Sequence, residues 1–251
     1  MSNYAIQLKY DGTAYHGFQR QLNAVTIQGL LEAAISTLTG ADTAVIGCGR
    51  TDSGVHALDY TANFRSDTLS VPPDRLPLAL NALLPADVVV FAAREVPLDF
   101  HAVFSCVSKE YTYKILNTQH ADPFLVNRVW HIPRTLNIGA MRDAAAEFTG
   151  THDFAALRCV GTDVKTTVRT VYTFDISENN GIIECKVSAD GFLYKMARSF
   201  IGTIYYAGIG KISPGDIASI LQSRKRSLAG PTAPPQGLYL TGTSYQIADV
   251  S

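Results

Sequence analysis

The sequence predicts an α+β fold made of two consecutive halves that share one element order, β-α-β-β-α-β, the ferredoxin-like plan. Two observations predict it. Apolar or alternating runs of strand length are interleaved with segments of helical period, and the same order of elements comes round twice. At 251 residues with 47% hydrophobic content, the chain can bury one large core or two smaller ones. We place the halves at residues 1–103 and 104–251. The duplication is one of element order only, since no residue-level repeat connects them.

In the first half, Tyr4, Ile6, Leu8 and Tyr10 alternate as in a half-buried strand. Thr26 can cap a helix whose Ile27, Leu30, Leu31, Ala34, Ile35 and Leu38 share one face, with Gly40 at the stop. Strands are expected at Thr43 to Cys48 and Leu58 to Phe64. A second helix from Asp74 to Leu84 follows Pro72-Pro73, and Val88 to Val96 closes the half.

The second half opens with a strand at Lys109 to Leu116. The His-, Pro- and Arg-containing stretch from Gln119 to Thr135 reads as a long connection. A helix from Ile138 to Phe148 should stop at Gly150. Thr167 to Ile176 and Ile182 to Ala189 form a hairpin across Glu178-Asn179-Asn180-Gly181. Phe192 to Tyr206 and Pro214 to Ser223 read as helices, and Leu238 to Gln246 as the last strand.

Between two expected strands lies Gly49-Arg50-Thr51-Asp52-Ser53-Gly54-Val55-His56-Ala57. On spacing alone this is either a tight turn capped by its own aspartate or a loop presenting a reactive carboxylate. Other chemistries find no support. The six histidines show no H-E-x-x-H or paired spacing, and there is no G-x-x-x-x-G-K-[ST] string. Cys48, Cys106, Cys159 and Cys185 are widely spaced, which fits thiols in a reducing compartment. No apolar run reaches the roughly 20 residues of a membrane span, and Met1-Ser2-Asn3-Tyr4 lacks a signal-peptide pattern. A cytoplasmic protein without metal is expected.

The string G-R-T-D-x-G-V-H-A resembles the active-site motif of the tRNA pseudouridine synthase A family. Further matches follow in order: Tyr10 to Gln21, with Phe18 where Trp is usual; Lys109-Glu110-Tyr111-Thr112-Tyr113; Gly191 to Arg198; and Ala229 to Leu240. The resemblance spans nearly the whole chain. It implies the pseudouridine synthase fold, with two antiparallel sheets side by side and a catalytic cleft between the halves. It also implies a homodimer acting on tRNA uridines in the anticodon stem-loop, roughly positions 38 to 40, without a cofactor.

By the same resemblance Asp52 is the catalytic carboxylate, attacking the sugar, attacking the base, or abstracting a proton to give a glycal. Arg198 pairs with that aspartate, Arg50 helps expel the target nucleotide, and Tyr111 stacks on the uracil and is a candidate to take its C5 proton. Leu238 lines the uracil pocket, and Lys109 lies in a matched motif as an RNA contact. Without the motifs each has a plainer reading: a loop arginine for Arg50, a core tyrosine for Tyr111, a surface-helix arginine for Arg198 and a strand leucine for Leu238. Three positions depart from the family pattern. Val103 stands where an Arg is usual, Cys106 replaces an Ala and Ala197 a Val. The rival class is a catalytically inert RNA-binding or tRNA-folding protein on the same fold.

Net charge is −1, yet residues 1–103 carry 6 basic against 10 acidic side chains and residues 104–251 carry 15 against 12. Basic charge thus concentrates in the second half, where local patches can neutralise phosphates. Its densest run, Arg224-Lys225-Arg226, reads as a phosphate contact or as a solvated helix end.

Overall fold

The computed structural model describes residues 1–159, 161 and 164–246. They fall into two compact units: Met1–Val107 together with the C-terminal stretch from Tyr239, and Ser108–Leu238. The sequence expects the last strand to close the second half; its contacts group it with the first.

The first unit contains β1 (Ser2–Tyr10), α1 (Ile27–Thr39), β2 (Val45–Gly47), β3 (His56–Ser66), α2 (Leu76–Asn81) and β4 (Val88–Val96). Both β3 and β4 pair antiparallel with β1, so Tyr4 lies opposite Phe64 on one side and Glu95 on the other. β2 borders β3 on its far edge, with Val45 opposite Phe64. The order β4-β1-β3-β2 is that of the expected ferredoxin-like half. The alternation in β1 does what its spacing predicts: Tyr4, Ile6, Leu8 and Tyr10 are all buried. Ile27, Leu31 and Ile35 of α1 and Leu76 and Leu80 of α2 are buried without residue, each stabilising by about 1.5–3 kcal/mol relative to exposure. Thr26 Oγ1 accepts from Gly29 N at 3.3 Å, and Gly40 ends α1 with φ 69°, as the caps predict.

The second unit contains β5 (Cys106–Leu116), β6 (Trp130–His131), α3 (Ile138–Ala146), β7 (Gly150–Asp153), β8 (Val168–Asn179), β9 (Ile182–Ala189), α4 (Met196–Gly208) and α5 (Asp216–Ser223). β9 pairs antiparallel with both β5 and β8, and β7 extends the sheet beyond β8. The β8–β9 turn uses positive φ at Asn180 (51°) and Gly181 (77°), as a tight hairpin requires. Finally, β10 (Leu238–Tyr245) runs parallel to β3, with Tyr239 opposite His56.

Two local expectations are corrected. Gly150 does not stop α3, which ends at Ala146; with φ 105° it opens β7 instead. The helix expected from Phe192 begins at Met196, because Lys195 adopts the left-handed region at φ 59° and breaks the run. Leu193 to Met196 form a turn, closed by Met196 N donating to Leu193 O at 2.9 Å. The Gln119–Thr135 stretch contains β6 and a short helical turn at Pro123–Leu125.

Candidate active site

In the first unit, the segment that joins β2 to β3 is held along most of its length. Cys48 N donates to Thr61 O at 2.9 Å, and the Tyr60 hydroxyl bonds the Gly49 carbonyl. Phe18 N donates to Thr51 O at 3.2 Å, while Thr51 Oγ1 and Tyr10 Oη lie 2.9 Å apart in a buried bond. Val55 N donates to Asp52 O at 3.1 Å, closing a turn in which Gly54 takes φ 78°. Gly54 N (3.3 Å) and Ser53 Oγ (3.1 Å) both donate to Tyr15 O. The Asp52 backbone is thereby held in one turn, with its side chain half-buried.

This geometry explains the N-terminal motif physically. Tyr10, Tyr15, Gly17 and Phe18 are the cradle of the Asp52 loop. A Cβ on Gly12 would run into the Val55 carbonyl, and one on Gly17, whose φ is 85°, into the Thr51 carbonyl. Phe18, where Trp is usual, stacks on Tyr60 at 4.4 Å and 20°. His56 is buried and stacked on Tyr239 at 4.7 Å. Its Nδ1 lies 3.1 Å from Gly12 N and 3.0 Å from Asp11 Oδ1. A single ring nitrogen cannot accept from the first and donate to the second at once; the Gly12 N–H is aimed at it, so we take Nδ1 as that donor's acceptor. Arg50, between Gly49 and Thr51, is exposed.

In the second unit, Tyr111 is a buried residue of β5 whose ring meets Phe192 edge-on at 4.9 Å. The turn before α4 is what brings Phe192 there. Lys109, two residues earlier on β5, is half-buried opposite Ala189. Arg198 lies in the first turn of α4. Its Nε donates to Ala233 O at 2.7 Å, and Ala233 N donates back to Arg198 O at 3.0 Å. Next along, Pro234 O accepts from the Tyr113 hydroxyl at 2.9 Å. Burial pushes the Tyr113 phenol well above its ordinary value, opposed by the Arg198 guanidinium nearby. Leu238 is buried as the first residue of β10. The preceding Gly237 has no room for a side chain, since a Cβ would press on the Tyr113 ring at 2.7 Å and on Lys114 O at 2.8 Å.

Within each unit, therefore, the residues expected from sequence come with a supporting set. Arg50 and Asp52 share one cradled loop. Tyr111, Lys109, Arg198 and Leu238 share β5, α4 and the run into β10. Sequence reasoning missed Phe192, Tyr113 and the Ala233–Pro234 carbonyls as their partners, although all lie inside motif strings; the signal was there without the three-dimensional pairing. Val103 is 38% exposed beside Phe104, which is 82% exposed. Arg224 is ion-paired with Asp153 at 2.8 Å. Burial raises the Asp153 carboxyl, but the Thr167 hydroxyl, the Ala155 N–H and Arg224 together lower it below the usual range. Among the described residues no group of three or more His, Cys, Asp or Glu side chains could hold a metal ion, and no helix is long and apolar enough to cross a membrane.

A family model described as tRNA pseudouridine synthase matches residues 6–105 and 144–246. The chain is 47% identical over 245 residues to the tRNA pseudouridine synthase A of Thermoanaerobacter sp. (strain X514), covering 98% of this chain and 100% of that one. It is 44% identical to the Acetivibrio thermocellus protein of that name and 42% identical to the Clostridium acetobutylicum one, with the same coverages. Among solved structures it aligns with a chain from the archaeal box H/ACA sRNP Nop10-Cbf5 complex, with TM-score 0.40 and 15% identity, over 82% of this chain and 43% of that one. The chain belongs to the tRNA pseudouridine synthase family, isomerases that act on uridine in tRNA. The resemblance read from the motifs is borne out.

Proposed function

We propose that this chain isomerises uridine to pseudouridine in the anticodon stem-loop of tRNA, roughly at positions 38 to 40, with Asp52 as the catalytic carboxylate. The observation that carries the reading is the Asp52 loop, whose backbone is fixed on both sides by Thr51 and Gly54 bonds to the Tyr15–Phe18 segment. A catalytic carboxylate benefits from such preorganisation, because no orientation remains to be lost when the substrate arrives.

In the isomerisation the N1–C1′ bond breaks and the base turns. C5 then bonds to C1′, and the C5 proton leaves while N1 gains one. Substrate and product are isomers, so no oxidant or reductant enters. Asp52 acts as nucleophile or proton acceptor beside the sugar. Arg198 supplies the cation of the site. Tyr111, backed edge-on by Phe192, stacks on the uracil and is a candidate to take the C5 proton; Leu238 lines the base pocket. Lifting a uridine out of its stack costs a few kcal/mol, which Arg50 and the stacking ring offset. Arg50 and Lys109 contact phosphate.

The enzyme works as a cytoplasmic homodimer in this reading. Light scattering on active protein tests the assembly, and a mass near 27.2 kDa would contradict it. Tritium release from tRNA carrying C5-labelled uridine tests the chemistry. Release mapped to the 3′ side of the anticodon stem-loop is expected; tRNA binding without release would favour the inert RNA-binding protein instead.

A further inference from the structure

In the basic run after α5, where Arg224 pairs with Asp153, Arg226 also binds the protein itself. Arg226 is half-buried, its Nη1 donates to Gly230 O at 2.6 Å, and its Nη2 donates to Thr232 Oγ1 at 3.0 Å. One planar fork thus spans two acceptors two residues apart, a geometry that an ammonium group cannot copy. Both acceptors lie in the 229–234 segment. Its other end carries the Ala233 carbonyl that accepts Arg198 Nε and the Pro234 carbonyl that accepts the Tyr113 hydroxyl.

The same segment lies directly on the backbone of α4. Gly230 N donates to Thr203 Oγ1 at 3.1 Å, and Thr203 Oγ1 in turn donates to Ser199 O at 2.7 Å. A Cβ on Gly202 would run into the Pro231 carbonyl, and one on Gly230 into the Gly202 carbonyl. The segment therefore has no slack toward the helix that carries Arg198. Along the chain, the Arg226 fork ties Gly230 and Thr232 to one side chain.

We propose that Arg226 is a positioning residue: its guanidinium fixes the 229–234 segment, which through Ala233 and Pro234 orients Arg198 and Tyr113 for the isomerisation. This rests on the reading of the chain as a pseudouridine synthase with Arg198 in its site. It sets Arg226 apart from the RNA-binding cations, although it stands next to the exposed Lys225.

The test compares Arg226→Lys, Arg226→Ala and Lys225→Ala. Three quantities are read: kcat and KM on tRNA, the log–log salt slope of tRNA binding, and solvent exchange of the Arg198 Nε–H by NMR. Both Arg226 variants should lower kcat by about 10- to 100-fold, as small misplacements in a site do. Both should speed Arg198 Nε–H exchange and leave the salt slope unchanged, while Lys225→Ala leaves kcat as it was. A phosphate-binding role predicts otherwise: Lys would restore kcat, and the Ala variant would flatten the slope by about one unit. Either of those results, or unchanged exchange in both Arg226 variants, overturns the proposal. Should Arg226→Ala fail to fold, Thr232→Val removes a single acceptor and should reproduce part of the kcat loss and of the faster exchange; wild-type kcat and exchange in that variant would overturn the proposal. If the unaltered chain forms no pseudouridine, the isomerase reading fails, and the exchange measurement still decides the role of Arg226.

Discussion

Arg198 and Ala233 hold each other twice, the arginine donating through Nε at 2.7 Å and accepting at its own carbonyl from Ala233 N at 3.0 Å. The side-chain bond fixes the roll of the guanidinium, and the backbone bond fixes where its Cα sits. Replacing Arg198 by Lys keeps the charge and loses the first of these. We expect Arg198→Lys to fold normally and to lose about 10- to 100-fold in kcat, measured as tritium release under saturating tRNA. Unchanged kcat would show that charge alone suffices there.

Gly17 and Gly40 separate backbone freedom from close approach. Both have positive φ, 85° and 69°, but a Cβ on Gly40 meets nothing within 4 Å, whereas one on Gly17 meets the Thr51 carbonyl. Gly40→Ala should cost about 1 kcal/mol in urea unfolding and leave activity intact. Gly17→Ala should cost more than that and also depress activity, because the Asp52 loop must shift to admit the methyl group. Equal stability losses in the two variants would contradict the cradle.

Asp59, on β3, has a buried Oδ1 without a hydrogen-bond partner. Burial raises its carboxyl above the ordinary range, partly opposed by the Thr243 N–H. A raised folded pKa means that the protonated form suits the fold better. The stability this contributes is complete below the unfolded value of about 4 and is lost as pH rises through the folded one. Asp59→Asn should therefore melt higher than the unaltered chain near neutral pH, with the difference closing at about pH 3. A variant that melts lower at neutral pH would show that the charge is stabilised after all.

Arg50 tests the RNA path. If the exposed guanidinium neutralises one phosphate, Arg50→Ala should shrink the log–log salt slope of tRNA binding by about one unit. A slope identical to that of the unaltered protein would remove Arg50 from the RNA contacts.

Much of the fold was legible because local signals agreed with tertiary ones. Thr26 and Gly40 mark the true ends of α1, and the alternation of Tyr4, Ile6, Leu8 and Tyr10 marks the buried face of β1. Signals failed where one residue had two uses. Gly150 reads as a helix stop but serves as the positive-φ start of β7. Lys195 shows no sequence sign of the left-handed conformation that delays α4 and frees Phe192 to meet Tyr111. The motif singled out the Asp52 loop, while the structural reason for the N-terminal motif had no sign in the sequence. Tyr15 and Gly17 act through backbone atoms some 35 residues away in sequence, for which no local pattern exists. Arg226 was hidden for the same reason: its acceptors are set by the close packing of Gly230 on Gly202, and composition reports only a positive charge.

The central claim is that Asp52 carries the chemistry from a loop fixed by the rest of its unit. Asp52→Asn keeps the shape of that loop and removes the carboxylate. Its pseudouridine yield on tRNA, measured beside its tRNA affinity, tests the claim most directly. The account predicts no detectable product with affinity close to that of the unaltered protein; substantial residual pseudouridine formation would contradict it.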